Sequence, residues 1–265
     1  MSLKPRRIVL IPGFMLNEML WHEFETYLPS KCIVHHASVT EGRTIHDVVQ
    51  HLITLLPEKF SLIGFSMGGY IARQLAAEFP ERVESLVLIA SSLREDTPLE
   101  AEAKRKSVQS LSPTTFKGLS RHAIARSLHP LNTSNQDMIS AIQKMGCSLG
   151  FEAFITQSSL SRQGIPSATI RCPTLVIASE DDAIRSMKEA EELVEAIPYA
   201  SLRIILDCGH MIPLEQPREL ARIIVEWIPL LGVYPAKIRI YFIGVSSAPG
   251  SERTFPFADV KTAIA

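Results

Sequence analysis

A serine flanked by glycines two residues on either side is the first feature of this chain that suggests chemistry. Ser66 follows Gly64 and precedes Gly68, between an apolar run and a helix-like stretch. A strand-to-helix turn this tight needs the small glycines, and it pushes the central hydroxyl into the open. A hydroxyl at a helix N-terminus, beside free backbone N–H groups, can attack a carbonyl and stabilise the resulting oxyanion.

A nucleophilic serine also needs a base to take its proton and an acid to orient that base. In an open parallel sheet, such groups follow the carboxyl ends of strands, where ligands bind. The acidic residues 180–182 follow the apolar run 174–178, and His210 follows the run 202–206. Serine, acid and histidine are therefore all available at one sheet edge, and both Asp181 and Asp182 are candidates for the acid.

Short runs rich in Ile, Val and Leu predict the elements that hold these residues. Such runs are typical of fully buried parallel strands, and amphipathic segments between them predict helices on both faces. The predicted strands are 8–11, 32–35, 60–65, 85–90, 174–178 and 202–206, and the predicted helices are 21–28, 45–56, 67–79, 186–197 and 220–231. The sequence therefore predicts an α/β fold with a mostly parallel sheet of about six strands flanked by helices.

The alternation breaks between residues 94 and 165, where the sequence is Ser-rich and helical. Helices are predicted there at 100–111, 116–128 and 135–149, with another near 150–161. We expect a helical cap over 95–165, inserted into a core formed by 6–94 and 166–232.

A C-terminal extension follows the predicted core, over residues 233–265. Its apolar run 238–245 predicts an extra edge strand or a subunit contact, and a loosely attached tail is an equal alternative. A contact of this kind would be consistent with a homodimer.

Composition limits the kinds of partner. The chain has 265 residues, is 46% hydrophobic and carries a formal net charge of -1, so it can bury a sizeable core but offers no basis for binding nucleic acid or an anionic membrane. The N-terminus lacks a signal-peptide core, and no run reaches the roughly 20 apolar residues of a membrane span. Four scattered cysteines without a Cys-x-x-Cys pair predict free thiols. We therefore expect a cytoplasmic protein that acts on a small molecule without a metal or cofactor.

The chain resembles the α/β-hydrolase superfamily over about residues 6–231. The segments that carry the resemblance are Ile11-Pro12-Gly13-Phe14, Gly64-Phe65-Ser66-Met67-Gly68-Gly69, Phe79-Pro80-Glu81-Arg82-Val83, Cys172-Pro173-Thr174-Leu175-Val176-Ile177 and Gly209-His210-Met211-Ile212-Pro213-Leu214-Glu215. The elbow serine and the cap interval are similar to those of capped serine hydrolases, in the esterase and haloperoxidase-like branch. A serine in place of an aspartate argues against the dehalogenase and epoxide-hydrolase branches.

This resemblance implies roles for individual residues. Ser66 would be the nucleophile and His210 the base. Asp182 would be the acid, because the family acid usually stands three residues beyond a glycine at the position that Ser179 occupies here; Asp181 is the alternative. The backbone N–H groups of Phe14 and Met67 would form the oxyanion hole, although the chain has Pro12-Gly13 where relatives often have His-Gly.

The function implied is hydrolysis of a small carboxylic ester through an acyl-enzyme on Ser66. Cofactor-free perhydrolysis and carbon–carbon bond hydrolysis are enzymatic alternatives, and a ligand-binding receptor on a hydrolase scaffold is an alternative from another class. The predicted substrate-binding residues are Met15, Phe65, Met145, Phe151 and Phe154. The residues Arg121, His122, Arg126 and Arg162 are candidates for binding a substrate carboxylate, with solvated helix faces as the plainer interpretation.

Overall fold

A single twisted sheet forms the centre of the molecule. The structure, a computed structural model, describes residues 6–228 and the backbone of residues 240–243 and 253–255. The described strands are β1 (Arg6–Ile11), β2 (Cys32–His36), β3 (Phe60–Phe65), β4 (Val83–Ile89), β5 (Thr174–Ser179), β6 (Ala200–Ile205), β7 (Ile240–Ile243) and β8 (Arg253–Phe255). Their order is β2-β1-β3-β4-β5-β6-β7-β8, with every pair parallel except the antiparallel pair β7 and β8.

The six predicted strands are confirmed as β1 to β6, and the predicted sheet flanked by helices is confirmed with them. Three strand starts, those of β1, β4 and β6, lie two residues before the predicted ones. β1 begins at Arg6 because Arg6 and Arg7 already pair with β2 ahead of the apolar run. β4 begins at Val83 because the exposed Glu84 interrupts the apolar run without interrupting the strand. β6 begins at Ala200 because small residues occupy its first two buried positions.

Helices cover both faces of this sheet. The helices described are α1 (His22–Thr26), α2 (Ile45–Leu55), α3 (Met67–Glu78), α4 (Pro98–Ser110), α5 (Arg121–Ser127), α6 (Gln136–Ser159), α7 (Met187–Ala196), α8 (Ile212–Glu215) and α9 (Pro217–Trp227). Val9 and Ile11 of β1 pack in one apolar cluster with α2, α3 and α7, whereas Ile8 and Leu10 pack in another with α1 and α9. The two-residue alternation of side chains along each strand therefore builds two cores.

Three helices, α4 to α6, occupy the interval between β4 and β5 for which the sequence predicts a cap. The helix predicted over 116–128 is wrong in its first turn, since α5 begins only after Ser120, whose side chain accepts from the Ala123 N–H. The two helices predicted over 135–149 and 150–161 form the single run α6, with a break at Gly150 (φ 80°, ψ −179°).

The C-terminal apolar run lies partly outside the described residues. Its segment Ile240–Ile243 forms β7, which pairs in parallel with β6. Within the parts of the chain that the structure describes, no helix is long and apolar enough to cross a membrane.

The break in α6 leads to a stability prediction. A Cβ added at Gly150 would meet no atom within 4 Å, so Gly150→Ala has only a backbone cost. Since non-glycine residues strongly disfavour this φ/ψ region, we expect the free energy of unfolding in urea to fall by about 1–3 kcal/mol. The exposed Lys144→Ala in the same helix serves as control, with a change within about 0.5 kcal/mol. Equal stability of Gly150→Ala and the wild type would contradict this account.

Candidate active site

Ser66 occupies a strained turn between β3 and α3. Its backbone has φ 50° and ψ −112°, a conformation that residues other than glycine rarely adopt. The Ser66 N–H donates to the Ile89 carbonyl at 2.8 Å, and the Ser66 carbonyl accepts from Ser91 Oγ at 3.0 Å. Contacts from β4 and the residues after it therefore hold the turn from both sides.

The two glycines of the motif permit the close backbone approach that this turn requires. A Cβ at Gly64 would lie 2.5 Å from the Gly68 carbonyl oxygen, and a Cβ at Gly68 would lie 2.4 Å from the Ile11 carbonyl oxygen. Both contacts are with backbone, which cannot move aside as a flexible side chain can. The motif therefore packs α3 directly against β3 and the end of β1.

The predicted residues His210 and Asp182 form a chain of hydrogen bonds with Ser66. His210 Nε2 lies 2.9 Å from Ser66 Oγ, and His210 Nδ1 lies 2.7 Å from Asp182 Oδ2. A carboxylate can only accept, so Nδ1 carries the hydrogen and Nε2 is left to accept from the serine hydroxyl. The side chains of His210 and Asp182 are only 7% and 2% exposed, which shields the contact between them from solvent.

Asp181 and Asp182 lie in different environments although they are adjacent. The second carboxylate oxygen of Asp182 accepts from the backbone N–H groups of Ile184 at 2.7 Å and Arg185 at 2.8 Å. The side chain of Asp181 is 43% exposed and lies 3.4 Å from His129 Nε2. The structure therefore brings Asp182, and not Asp181, into contact with His210.

The loop that carries His210 is fixed by two residues, Ser179 and Glu215, for which the sequence predicts no role. Ser179 Oγ lies within hydrogen-bonding distance of the carbonyl oxygens of Cys208 and Gly209, at 2.7 and 2.8 Å. Glu215 Oε1 accepts from the Gly209 N–H at 3.1 Å. Ser179 stands where relatives often have glycine, and that difference was the available signal for its role.

Glu215 also ties this loop to the segment between α5 and α6. Its Oε2 accepts from the His129 N–H at 2.7 Å and from Asn132 Nδ2 at 2.9 Å. The Met211 N–H donates to the Ser127 carbonyl at 3.2 Å, which adds a second link between the same regions. The inserted helices and the His210 loop therefore share one hydrogen-bond network.

A cavity of about 710 Å³ opens at Ser66 and His210. Two of the five predicted substrate-binding residues, Phe65 and Phe154, line it, and so does Phe14, which is predicted for the oxyanion hole. The rings of Phe14 and Phe154 lie 5.9 Å apart, and the ring of Phe65 lies 5.2 Å from that of His210. Side chains from α4, α5 and α6 complete the wall, so the cavity lies between the sheet edge and the inserted helices.

The other three predicted substrate-binding residues lie behind this wall. Met15 is fully buried in a positive-φ turn, where its N–H donates to Gln157 Oε1 at 2.7 Å. Met145 is buried in the apolar cluster that contains α1 and α9. Phe151 packs against the ring of Phe154 at 6.2 Å instead of lining the cavity itself. Hydrophobicity alone does not separate a cavity wall from the core that supports it.

The two predicted oxyanion-hole residues flank the elbow. Met67 is the first residue of α3, and the first N–H groups of a helix lack partners within it. Phe14 follows the end of β1 and lines the cavity that Ser66 opens on. Phe14 therefore borders the cavity, and Met67 directly follows the serine that lines it.

The candidates for carboxylate binding separate into two groups. Arg121, His122 and Arg126 of α5 are exposed, and Arg121 donates to Gln136 at 2.5 Å. Arg162, after α6, lines the cavity. The solvated-face interpretation therefore fits the α5 residues but does not fit Arg162.

The alpha/beta hydrolase fold family model matches residues 29–217. The pimeloyl-[acyl-carrier protein] methyl ester esterase of Aromatoleum aromaticum is 27% identical over 243 residues, covering 83% of this chain and 96% of that protein. The monoacylglycerol lipase ABHD6 of Bos taurus is 24% identical over 252 residues, covering 83% and 74% respectively. Among solved structures, a thermophilic esterase from Thermogutta terrifontis has a TM-score of 0.74 at 24% identity, covering 86% of this chain and 91% of its own; this likeness concerns the fold.

Two thiols near the sheet are poor competitors for the serine hydroxyl. Burial, with the carboxylates of Glu215, Asp182 and Asp181, raises the pKa of the buried Cys208 thiol far above its ordinary value. Burial raises the pKa of Cys172 to about 11. Because the thiolate is the reactive form, both residues are expected to be inert near neutral pH.

Thiol titration tests this difference. With Ellman's reagent near neutral pH we expect a fast phase from the exposed Cys147 and a slower phase from the partly exposed Cys32, because burial raises the pKa of the Cys32 thiol, while Cys172 and Cys208 react only after denaturation. Cys147→Ser should remove the fast phase. Rapid modification of Cys208 in the folded variant, identified by peptide mapping, would refute the expected protection.

Proposed function

We propose that this chain, which belongs to the alpha/beta hydrolase family, cleaves small carboxylic esters through an acyl-enzyme on Ser66. The observation that carries the proposal is the hydrogen-bonded series Ser66–His210–Asp182 at the opening of a cavity. Family membership and esterase relatives support a hydrolase, and two relatives are named for methyl ester and monoacylglycerol substrates. An ester is therefore the substrate class with the broadest support.

Acylation would begin with attack by Ser66 Oγ on the ester carbonyl carbon while the hydroxyl proton passes to His210 Nε2. The carbonyl π electrons move to oxygen and give a tetrahedral oxyanion. Asp182 stabilises the imidazolium and keeps the ring oriented through its contact with Nδ1. The proton then passes to the alcohol oxygen as the C–O bond breaks, which leaves an acyl group on Ser66.

The oxyanion would be stabilised by backbone N–H groups of Met67 and Phe14. Preorganised donors of this kind are worth about 2.7–4 kcal/mol each in transition-state stabilisation. As backbone groups they are insensitive to side-chain identity, so an ordinary substitution leaves the donors in place.

Deacylation repeats the same steps with water as the nucleophile. Water attacks the acyl carbonyl and gives its proton to His210, which then protonates Ser66 Oγ as the carboxylic acid leaves. One ester and one water thus give one acid and one alcohol, and the enzyme returns to its starting state.

The helices α4 to α6 would act as the cap that selects the substrate. They contribute much of the cavity wall, including Phe154 and the small side chains of Ala103 and Ser107. Perhydrolysis and a receptor role stay predictions, as do the homodimer and the cytoplasmic location. Labelling of Ser66 by a fluorophosphonate would favour the enzyme over the receptor.

The central prediction concerns the serine. Ser66→Ala should lower kcat for short-chain aryl esters by a factor on the order of a million, because it removes the nucleophile. Far-UV circular dichroism should be unchanged, and the exposed control Ser134→Ala should retain wild-type turnover. Near-normal turnover by folded Ser66→Ala protein would overturn the proposal.

The two aspartates provide a second, internally controlled test. Asp182→Asn should lower kcat roughly 10⁴-fold, because an amide N–H facing Nδ1 favours the wrong histidine tautomer. Asp181→Asn changes the same charge at the neighbouring position and should stay close to wild type, since Asp181 contacts His129. The assignment of the acid fails if the larger loss follows Asp181→Asn.

A further inference from the structure

One wall of the cavity is cationic, and the proposed acyl-transfer steps make no use of its charge. The Lys, Arg, Asp and Glu residues that line the cavity are Lys104, Lys117, Arg162 and Arg185, so among the described lining residues no carboxylate faces this space. Composition does not explain this, because the chain as a whole carries a formal net charge of -1. The cavity therefore differs in charge from the protein around it.

Three of these cations converge, although they come from distant parts of the chain. The Arg162 guanidinium lies 4.9 Å from the ring centre of Tyr70, and that of Arg185 lies 5.8 Å from it. Lys104 joins them through Asp96, which lies 2.5 Å from Lys104 Nζ and 3.3 Å from Arg162 Nη1. Tyr70 is one helical turn beyond Ser66 on α3, so the cluster is adjacent to the proposed nucleophile.

The carboxylates around the cluster leave positive charge uncompensated. Asp96 is shared by Lys104 and Arg162, and Glu189 pairs with Arg185 at 3.0 Å. Glu100 lies close enough to influence Arg162, but its carboxylate accepts from the N–H and hydroxyl of Thr97.

A buried arginine adds a further cation behind the wall. Arg73 lies 5.2 Å from the Tyr70 ring centre and donates to the neutral Ser167 hydroxyl at 2.6 Å. Arg94, whose carbonyl accepts from the Tyr70 hydroxyl, pairs with Glu192 at 2.8 Å. Counting this pair, five cations lie around Tyr70 and its neighbours against four carboxylates.

This wall also contains a buried hydrogen-bond donor that has no acceptor in the part of the chain that the structure describes. The buried Nε of the lining residue Arg185 has no hydrogen-bond partner among the described residues. The Nε of Arg73 has none either, but Arg73 lies behind the wall and does not line the cavity. Arg185 also holds Asp182 through its backbone N–H, so its side chain begins beside the proposed catalytic residues. An unsatisfied buried donor costs free energy, and a ligand oxygen would remove that cost.

The close packing of these cations is itself unfavourable. Burial, followed by the nearby charge of Arg162, lowers the pKa of Lys104. Burial lowers the pKa of Arg73 to about 10. Desolvation and like charge both disfavour the ionised forms, so an anion bound at the wall would stabilise the arrangement.

We propose that this wall binds a carboxylate of the substrate, so that the preferred esters are anionic ones whose free carboxylate lies away from the scissile bond. The inference rests on the proposed function for the reacting end of the cavity. Arginine suits the task because its planar fork can bind a carboxylate through two parallel hydrogen bonds. The volume of about 710 Å³ lies within the range of small-molecule sites, which leaves room for both groups.

Matched ester pairs test the proposal. Mono-4-nitrophenyl glutarate carries the carboxylate on its acyl side, 4-acetoxybenzoate carries it on the alcohol side, and the methyl ester of each is the neutral counterpart. Wild-type protein should show a higher kcat/KM for at least one anionic ester than for its neutral counterpart. Because the attraction is electrostatic, added salt should reduce that preference.

Variants of the wall identify its residues. Arg162→Gln and Arg185→Gln should each reduce the anionic-to-neutral preference by roughly 10- to 100-fold, the value of a charge-assisted hydrogen bond. Arg162→Lys keeps the charge and should keep part of the preference. Arg121→Gln makes the same charge change on the exposed face of α5 and should leave the preference at its wild-type value.

A binding measurement separates failure of this inference from failure of the proposed function. Calorimetry with glutarate on Ser66→Ala protein should detect binding that is lost when Arg162→Gln is added. Binding of glutarate without hydrolysis of any ester and without fluorophosphonate labelling would reject the hydrolase and retain the anion site. Neutral esters hydrolysed as well as anionic ones, with no glutarate binding, would overturn the anion site and leave the hydrolase standing.

Discussion

The backbone of Ser66 is held at φ 50° and ψ −112°, and that turn fixes the hydroxyl position that the other groups of the site must reach. Such a conformation costs about 1–3 kcal/mol, and it persists only where neighbouring structure holds it. Here the Ile89 carbonyl and the Ser91 hydroxyl hold the two ends of the residue, while Gly64 and Gly68 allow α3 to approach the strands. The same turn aims the hydroxyl at His210 and starts α3 at Met67.

The remaining groups reach Ser66 from loops that are distant in sequence but adjacent in the sheet. β5 and β6 lie next to each other, so the loops that follow them bring Asp182 and His210 together. The Ser179 hydroxyl, which donates to the loop, and the Glu215 carboxylate, which accepts from it, then fix the histidine loop. The parallel sheet thus provides the approximate positions, and a small set of polar contacts provides the geometry that the proposed proton transfer needs.

Much of the fold and the serine–histidine contact could be predicted, because buried parallel strands produce continuous apolar runs and their carboxyl ends share one edge. The choice between Asp181 and Asp182 was harder, since adjacent residues in a turn point in different directions and spacing alone does not reveal which one faces inward. The sequence predicts Met15 and Met145 in the cavity wall, but both lie in the core, because apolar character does not distinguish the two. The cationic wall depends on contacts among α3, α4 and segments before and after β5, and no local pattern encodes it.

The single carboxylate of Glu215 accepts hydrogen bonds from both the histidine loop and the segment that leads into α6. This connection affects how a hydrolase of this kind could change during evolution. A substitution that shifts α5 or α6 to admit a new substrate would pull on the loop that positions His210. Selectivity and turnover would then vary together instead of independently. Selectivity could change without loss of turnover if only the side chains that line the cavity were substituted and the helix axes stayed in place.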